Sequence, residues 1–414
     1  MNEKMKNLPK GWEIKKLKEI GEVISGGTPS TTVSEYWNGN ISWISPSDLT
    51  GYNEIKIRRG KKSITELGLK KSSAKLMPKG SVLFSCRAPI GYVAIADEEL
   101  STNQGFKSII PNANIDSLFI YYFLKNSKQE AEKVASGTTF KEISLRNFSD
   151  LQIPLPPLET QQHIVSKIEE LFSELEKGVE ELKKSLEQLK VYRQSVLKWA
   201  FEGRFTNENV KEGEFPEGWE VKKLGEVFNF IGGGTPSKNE KAYWNGKIPW
   251  ASIKDIKGEY LTQTSDFITD EGLKKSTTNL AKNGELIIAT RINPGRPIIT
   301  KIETTINQDL KIARPKVNID IKFAFYFFLN RENEILKKSS GTTVLGIRLE
   351  ILNDIEISFP SIEEQHQIVQ EIESRLSVAD KMEEQIKTSL QQAEALKQSI
   401  LKKAFSGELV TGRV

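Results

Sequence analysis

Residues 157–203, PLETQQHIVSKIEELFSELEKGVEELKKSLEQLKVYRQSVLKWAFEG, decide the fold of this 414-residue chain. Apolar side chains recur along them mostly in steps of three and four, which places them on one narrow stripe of a helix. At 1.5 Å per residue, a run of roughly 40 helical residues is about 60 Å long. The stretch therefore predicts one helix that extends beyond any small globular core and packs along its length against another helix.

A second stretch, residues 361–407, has the same character and is its obvious partner. Some of its apolar residues follow at strict seven-residue steps: Ile372, Ala379, Ile386, Ala393 and Ile400. Ser361 and Glu364 can form a capping box at its start, and Gly203 and Gly407 stand where glycine commonly ends a helix. We expect the two helices to pack antiparallel between two globular domains. A hairpin buried inside one core is the weaker alternative because of their length.

The whole chain is one unit used twice. Pro-x-Gly-Trp at Pro9 returns at Pro216, Gly-Gly-Thr-Pro-Ser at Gly26 returns at Gly233, and Tyr-Trp-Asn-Gly at Tyr36 returns at Tyr243, each 207 residues later. Farther along, the offset becomes 204 residues, as for Arg87 and Arg291. Because chance does not supply so many ordered matches, we predict a duplicated unit that consists of a globular domain followed by a long helix.

The predicted fold class is α+β, with two globular α/β domains separated by a long antiparallel two-helix coiled coil in a pseudo-twofold repeat. Short alternating segments such as 41–44, 81–85 and 92–96 predict strands, and 116–134 and 320–338 predict helices. The predicted divisions are residues 1–155 for the first domain, 156–207 for the central helix, 208–359 for the second domain and 360–414 for the C-terminal helix.

The composition excludes several classes of protein. A single cysteine, Cys86, rules out a disulfide framework, and two histidines leave little for a zinc site. The chain start lacks the apolar segment of a signal peptide, and the longest apolar runs, of seven residues, are too short to cross a bilayer. We therefore expect a cytoplasmic protein without a membrane partner. Residues 1–155 hold 22 basic and 16 acidic residues, net +6, whereas 213–359 hold 21 and 19, net +2.

Motifs for catalysis are missing from the sequence. The segment Gly232-Gly233-Gly234-Thr235-Pro236-Ser237-Lys238 lacks the spacing and the Gly-Lys-Ser/Thr ending of a phosphate-binding loop. The Asn/Asp-Pro-Pro-Phe/Tyr tetrapeptide of adenine methylation does not occur. His163 and His366 lie at the starts of the long helices, where capping or an interface is the better interpretation. The residues alone therefore give no sign of an enzyme.

The polar residues favour a polyanion, and DNA is the candidate. Lysine and arginine neutralise phosphates, arginine also binds guanine, amide side chains bind adenine, and hydroxyls in glycine turns can bind phosphate. In the first domain the DNA-binding candidates are Thr28, Ser30, Arg58, Arg59, Lys61, Lys62, Lys70, Lys71, Arg87, Asn103, Gln104, Thr138 and Thr139. In the second domain they are Thr235, Ser237, Lys274, Lys275, Arg291, Asn307, Gln308, Thr342 and Thr343.

The two repeats differ in an informative place. Residues 52–63 are basic, whereas their counterparts 259–267 hold two acidic residues and no lysine or arginine. We expect identical segments to serve as scaffold, phosphate contact or partner docking, and divergent segments to read different sequences. Each candidate DNA-binding residue, taken singly, also has an ordinary structural explanation, such as surface exposure or a turn. We assign the motif aromatics to packing at domain edges: Trp12, Trp219, Tyr36 and Tyr243.

The order domain, helix, domain, helix and the three repeated motifs resemble the specificity subunit of type I restriction-modification enzymes. The resemblance also rests on Ile153-Pro154-Leu155-Pro156-Pro157-Leu158-Glu159-Thr160-Gln161-Gln162 and on Gln398-Ser399-Ile400-Leu401-Lys402-Lys403-Ala404-Phe405-Ser406-Gly407-Glu408-Leu409. It covers nearly the whole chain, although the start of the second helix keeps only one proline of the pair, at Pro360.

This resemblance implies that each domain reads one half of a split, asymmetric site in double-stranded DNA, while the helices fix the gap. It implies two docked modification (methyltransferase) subunits, which use S-adenosylmethionine, and restriction (endonuclease and translocase) subunits that join them. No cofactor is then expected in this chain. Two alternatives are a coiled-coil scaffold without a role on DNA and a complete methyltransferase. Salt-sensitive DNA binding would exclude the first, and failure of the isolated chain to bind S-adenosylmethionine would exclude the second.

Overall fold

A computed structural model of the chain describes residues 8–137, 141–207, 209–211, 214–341 and 345–409. The chain folds into two compact units, Met1–Leu182 with Thr388–Val414, and Lys183–Lys387. Each unit holds one globular domain and part of each long helix. Both long helices therefore contribute residues to both units.

The first domain is a mixed α/β structure. Its strands are β1 (Glu13–Lys16), β2 (Gly21–Ser25), β3 (Trp37–Ile44), β4 (Lys56–Ile57), β5 (Lys62–Ile64), β6 (Val82–Cys86), β7 (Ile90–Ala96), β8 (Leu100–Thr102), β9 (Phe106–Pro111) and β10 (Gln152–Leu155). Its helices are α1 (Leu17–Ile20), α2 (Glu66–Lys70), α3 (Ser117–Asn126), α4 (Lys128–Lys133) and α5 (Leu145–Ser149), and the long helix α6 (Leu158–Phe201) follows. The sheets have the orders β2-β9-β6-β7-β4, β5-β3-β8 and β1-β10.

The second domain repeats this plan. Its strands are β11 (Glu220–Lys223), β12 (Phe228–Gly232), β13 (Trp244–Ala251), β14 (Tyr260–Leu261), β15 (Asp266–Ile268), β16 (Leu280–Ala281), β17 (Leu286–Ala289), β18 (Pro297–Thr300), β19 (Thr304–Ile306), β20 (Leu310–Pro315) and β21 (Glu356–Phe359). Its helices are α7 (Leu224–Val227), α8 (Asp270–Lys274), α9 (Ile321–Lys337) and α10 (Leu349–Asn353), and α11 (Ile362–Ser406) is the second long helix. The sheets have the orders β12-β20-β17-β18-β14, β15-β13-β19-β16 and β11-β21.

The long helices pair antiparallel within each unit, as the sequence predicts. In the first unit, Ile164 and Ile168 from the start of α6 share a core with Leu401 and Phe405 from the end of α11. In the second unit, Ala200 and Phe201 from the end of α6 share a core with Ile368 and Ile372 from the start of α11. Cross-helix ion pairs follow the same direction, with Lys397 3.2 Å from Glu176 and Arg193 2.8 Å from Glu383.

Aromatic rings join each helix pair to its domain. The ring centroid of Phe405 lies 5.1 Å from that of Phe119 on α3, and Phe201 lies 5.0 Å from Phe323 on α9. No helix within the described ranges is long and apolar enough to cross a membrane.

The Pro-x-Gly-Trp motifs pack at the ends of the long helices. Gly203 and Gly407 take the left-handed conformation, with φ of +73° and +82°. A Cβ atom on Gly203 would lie 2.3 Å from Pro216, and one on Gly407 would lie 2.4 Å from Pro9. Glycine is therefore required at both helix ends. Trp12 and Trp219 pack against the cores of their domains, which confirms the packing role predicted for these two residues.

Two local predictions were only half right. The predicted helix 116–134 is interrupted at Ser127, whose buried hydroxyl donates to the carbonyl of Phe123 at 2.8 Å, so α3 and α4 are separate. At the start of α11, the Ser361 hydroxyl accepts a hydrogen bond from the Glu364 N–H at 3.3 Å. The Glu364 carboxylate accepts from the Thr206 hydroxyl at 2.6 Å, a partner outside the predicted capping box.

Candidate nucleic-acid interface

The Gly-Gly-Thr-Pro-Ser loop, residues 26–30, is held at both ends by indole groups. Trp43 Nε1 donates to the carbonyl of Gly27 at 2.9 Å, and Trp37 Nε1 donates to the carbonyl of Ser30 at 3.0 Å. The second domain makes the same two bonds at 3.0 Å each, from Trp250 to Gly234 and from Trp244 to Ser237. Both loops are therefore fixed in place.

Each loop lies directly on a turn formed by the Asn-Gln pair. A Cβ atom on Gly26 would lie 2.0 Å from the carbonyl oxygen of Asn103, and one on Gly233 would lie 2.1 Å from that of Asn307. Only glycine allows this approach, which explains the first residue of the motif.

The Tyr-Trp-Asn-Gly motif aims the tryptophans at the loop through a β-bulge. Trp37 and Ile41 both pair with Ile64, and Asn38 takes a left-handed φ of 62° between them. The equivalent strand β13 has the same irregularity, with Asn245 at φ 60°. Bulges of this kind redirect side chains at the edge of a sheet.

Loop and turn are joined by a side-chain contact that links two of the predicted site residues. The Thr28 hydroxyl donates to the side-chain oxygen of Gln104, and Thr235 does the same to Gln308. Both glutamines are exposed. Each is far from its threonine in the chain, by 76 and 73 residues, so the fold brings the two together. We call the loop with its turn the loop–turn site, namely residues 26–30 with 103–105, and 233–237 with 307–309.

The asparagines of the turns have internal roles. Asn103 Oδ1 accepts a hydrogen bond from the Gly105 N–H at 2.9 Å. Asn307 is 4% exposed; its Oδ1 accepts from the Asp309 N–H at 3.1 Å and its Nδ2 donates to the Asp309 carboxylate at 2.9 Å. Of each predicted Asn-Gln pair, the glutamine is therefore the member that faces solvent.

A buried lysine and an arginine lie beside the first loop–turn site. Lys107 Nζ, on a residue that is 5% exposed, donates to the Ser25 hydroxyl at 3.1 Å and to the Gln104 carbonyl at 3.4 Å. The Glu142 carboxylate lies 3.6 Å from Lys107 and 3.4 Å from Arg87. One carboxylate thus faces two cations next to the exposed glutamine.

The second domain keeps this arrangement but takes its carboxylate from another segment. Arg291 lies 3.7 Å from Asp309, which stands where the first domain has Gly105, while Gly346 stands where the first domain has Glu142. Burial, and next the charge of Arg291, lower the pKa of Lys311, the counterpart of Lys107, and Asp309 opposes this shift. The repeats have therefore exchanged which segment supplies the negative charge.

A groove runs along the second loop–turn site and carries charges that the first domain lacks. Its lining includes Thr235, Trp244, Gln308, Lys254 and Asp266. Lys254 Nζ lies 2.7 Å from the Asp266 carboxylate, and this hydrogen bond raises the pKa of Lys254. In the first domain, the residue equivalent to Asp266 is Lys62, whose Nζ lies 5.5 Å from the centre of the Trp37 ring.

The remaining predicted residues lie elsewhere or outside the described ranges. Arg58 forms an ion pair with Glu98, the Lys61 N–H donates to Asp48 at 3.0 Å, and the Ser30 hydroxyl contacts that of Thr32 at 2.8 Å. Residues that are exposed on the surface are Arg59, Lys70, Lys71, Ser237, Lys274 and Lys275. Residues outside the described ranges are Thr138, Thr139, Thr342 and Thr343.

Residues that the sequence did not single out complete the site. Lys107, Lys311 and Glu142 belong to no motif that the sequence analysis recognises, so no local pattern marks them. Lys254 and Asp266 had a signal in the repeat, since their counterparts are Ser47 and Lys62. Within the part of the chain that the structure describes, no cluster of three or more His, Cys, Asp or Glu side chains could hold a metal ion.

Comparison with known proteins gives consistent matches over both repeats. The family described as the type I restriction modification DNA specificity domain matches residues 9–187 and 216–392. The type I restriction enzyme MjaIX specificity subunit of Methanocaldococcus jannaschii is 34% identical over 388 residues, which cover 88% of this chain and 87% of the relative.

Two solved structures share the fold. The HsdS subunit from Thermoanaerobacter tengcongensis is 21% identical with a TM-score of 0.64, covering 98% of this chain and 100% of that one. A chain from work on complex assembly and conformational transition of the type I R-M system is 22% identical with a TM-score of 0.72, covering 96% and 98%. At these identities the likeness supports the two-domain, long-helix fold.

Proposed function

The chain belongs to the family of type I restriction-modification DNA specificity domains, and we propose that its two domains read the two halves of one split DNA site. It is the sequence-recognition subunit of such a system and is not itself an enzyme. The loop–turn site carries the proposal, because it recurs with the same threonine–glutamine contact but different charged neighbours. Shared contacts suit the DNA backbone, which carries no sequence information, and differing neighbours suit the bases. The site should therefore be asymmetric, unlike the palindrome of a symmetric dimer.

The helix pair would set the gap between the half-sites. Two domains on one rigid spacer can contact half-sites about one helical turn apart, ~34 Å. The apolar stripes of α6 and α11 suit this role, because heptad packing fixes the register of one helix on the other.

Apolar side chains exposed on the helices support docking of protein subunits. Val191, Val378 and Met382 are 62%, 48% and 49% exposed and lie on the helix stretches that the Arg193–Glu383 ion pair joins. Exposed apolar side chains that lie together mark protein–protein interaction sites. We propose that two methyltransferase subunits dock on the helix pair and bind the S-adenosylmethionine, that the restriction subunits join them, and that the complex acts in the cytoplasm.

The test uses the chain in complex with its methyltransferase subunits. DNA is incubated with this complex, and its methylated adenines are located by sequencing. They should define one asymmetric motif in two parts with a fixed gap. The affinity for that DNA should fall steeply with salt, because phosphate contacts release counterions.

Gln104→Ala should weaken methylation at one half-site, whereas Gln162→Ala, at an exposed glutamine of α6, is the matched control. If the complex yields no split motif and binds DNA weakly at every salt concentration, the chain is a scaffold instead.

A further inference from the structure

The groove beside the second loop–turn site offers a direct comparison with the first domain, because most of its lining has a counterpart in the repeat. Six positions are identical between the repeats: Thr28 and Thr235, Trp37 and Trp244, Trp43 and Trp250, Ser45 and Ser252, Asn103 and Asn307, Gln104 and Gln308. Four positions differ: Thr31 and Lys238, Ser47 and Lys254, Lys62 and Asp266, Gly105 and Asp309. Every difference changes the charge.

The position of Lys62 and Asp266 is the same in space as well as in the alignment. Lys62 pairs with Trp43 across β5 and β3, and Asp266 pairs with Trp250 across β15 and β13. Both Trp43 and Trp250 hold the neighbouring loop through their indole N–H groups. The backbone framework is therefore shared, and only the sign of the side-chain charge changes.

The charges at this position differ in what they can bind. In the second domain, Asp266 and Lys254 are 40% and 51% exposed and joined at 2.7 Å, so the groove presents a carboxylate together with an ammonium group. In the first domain, Lys62 lies over the Trp37 ring and Ser47 replaces the second lysine. The Ser47 hydroxyl lies 2.8 Å from that of Ser45.

A carboxylate is unsuited to phosphate, since two anions repel each other, but it suits the amino group of a base. In the major groove, cytosine presents its N4 amino group as a donor, and guanine presents O6 and N7 as acceptors. A carboxylate has about four acceptor positions, so Asp266 can accept from a base while it keeps its bond to Lys254. A lysine in the same place donates to guanine.

Resting this inference on the proposed function, we infer that the equivalent residues Lys62 and Asp266 each contact a base. Their opposite charges then select different bases in the two half-sites. Lys62 binds guanine in one half-site. Asp266 accepts from cytosine N4 in the other, and Lys254 donates to the guanine of the same or the neighbouring pair. Residues 62, 47, 266 and 254 are thus specificity determinants, while the six identical positions hold the common frame.

The experiment exchanges the charges and reads the methylated motif. In the complex with methyltransferase subunits, Asp266→Lys combined with Lys254→Ser gives these two positions of the second domain the residues that the first domain has there. The substrate is a DNA library with random half-sites. At one base pair of one half-site, we expect the preference for cytosine to be replaced by a preference for guanine of about tenfold. The other half-site and the gap should stay the same. Lys62→Asp combined with Ser47→Lys should produce the reverse change in the other half-site.

Controls separate this inference from the proposed function. Glu217→Gln raises the net charge by the same single unit in the Pro-x-Gly-Trp segment and should leave the motif unchanged. Asp266→Asn keeps the shape, and because an amide both donates and accepts, it should relax the preference at that one pair even if the double variant fails to fold. If the wild-type complex gives a split motif and these variants give the same motif, the inference is wrong while the proposed function stands. If the wild type gives no split motif, the proposed function itself fails.

Discussion

The side-chain oxygen of Gln161 accepts a hydrogen bond from the backbone N–H of Asp116 at 2.9 Å. The Gln161 Nε2 atom donates to the carbonyl of Pro156 at 2.9 Å, and the residue is 1% exposed. Asp116 in turn caps α3, since its carboxylate accepts from the Phe119 N–H at 2.9 Å. Gln161 therefore ties the start of the long helix to the start of the domain helix. Gln365 makes the same two bonds, to Asp320 and Pro360.

Replacement of this glutamine should destabilise the first unit. Gln161→Leu leaves a partly buried N–H and a buried carbonyl without their partner, and a buried group in this state costs about 1–3 kcal/mol. We expect the free energy of unfolding to fall by about 3 kcal/mol, measured by urea unfolding followed with tryptophan fluorescence. Gln162→Leu, at the exposed neighbour, should change it little. Equal effects of the two variants would show that the two buried bonds contribute nothing.

The negative charge that Asp309 places beside Arg291 and Lys311 should be replaceable by one at position 346, the counterpart of Glu142. Asp309→Asn should lower the pKa of Lys311 further, because the charge that opposes the effects of burial and Arg291 is lost. The unfolded lysine keeps its proton up to about pH 10.5, the ordinary value, whereas the folded one releases it earlier. Stability should therefore rise with pH across that window, and more steeply in the variant than in the wild type.

Adding Gly346→Glu to that variant should restore the wild-type dependence on pH. A Cβ atom on Gly346 would lie 3.1 Å from Arg291 Cγ, so a glutamate there starts beside the arginine, as Glu142 does in the first domain. Gly346→Gln in the same background is the uncharged control and should restore nothing. Thermal melting between pH 7 and 10.5 measures both effects, and equal rescue by Gln and Glu would contradict the exchange of charge.

Buried tyrosines should make the protein sensitive to alkaline pH. Burial raises the pKa of Tyr121 to about 12, and it raises the pKa of Tyr122 and Tyr326 as well. Because the unfolded phenol ionises near 10, the stability due to Tyr121 is complete below pH 10 and is lost as the pH rises through about 12. Each such group contributes a slope of about 1.4 kcal/mol per pH unit in that window.

The slope should be measured by urea unfolding at several pH values above 10. Tyr121→Phe should reduce the slope by about 1.4 kcal/mol per pH unit, the contribution of one tyrosine. Tyr192→Phe, at a tyrosine that is 40% exposed, should leave it as in the wild type. An unchanged slope in Tyr121→Phe would contradict the link to burial.

Shortening both long helices by one heptad should change the gap and nothing else. Removal of residues 182–188 and 386–392, which are equivalent in the repeat, preserves the stripe and shortens each helix by about 10 Å. At 3.4 Å per base pair, the preferred gap should shrink by about three base pairs. Sequencing of methylated sites in the reconstituted complex reads both gap and half-sites. Removal of four residues from each helix breaks the stripe and is the control, and an unchanged gap in the heptad variant would exclude the role as a spacer.

The long helices were predictable from the sequence because their signals are local. The stripe of apolar residues, the proline before α6 and the glycines at 203 and 407 fixed their bounds to within one or two residues. The break at Ser127 was not predictable, since a single serine disfavours the inside of a helix only slightly and its counterpart, Arg331, continues α9. Sheet order was also out of reach, because the parallel pairing of β3 with β8 joins residues far apart in the chain.

The candidate site was predictable only in its repeated part. Thr28 and Gln104 were selected because their motifs recur, and the structure brings them into contact. Lys107 was missed because a single lysine in an apolar strand has no marked neighbours in the sequence. The charge exchange between Glu142 and Asp309 was equally hidden, since it relates segments that meet only in the folded domain.

The packing of Pro9 on Gly407 repeats the packing of Pro216 on Gly203. The junction between the two ends of the chain is thus built like the junction inside it. A circularly permuted chain that starts at residue 215, passes through a new link from residue 409 to residue 8 and stops at residue 207 would form the same contacts. Within the residues that the structure describes, these two junctions therefore do not distinguish which domain comes first in the gene.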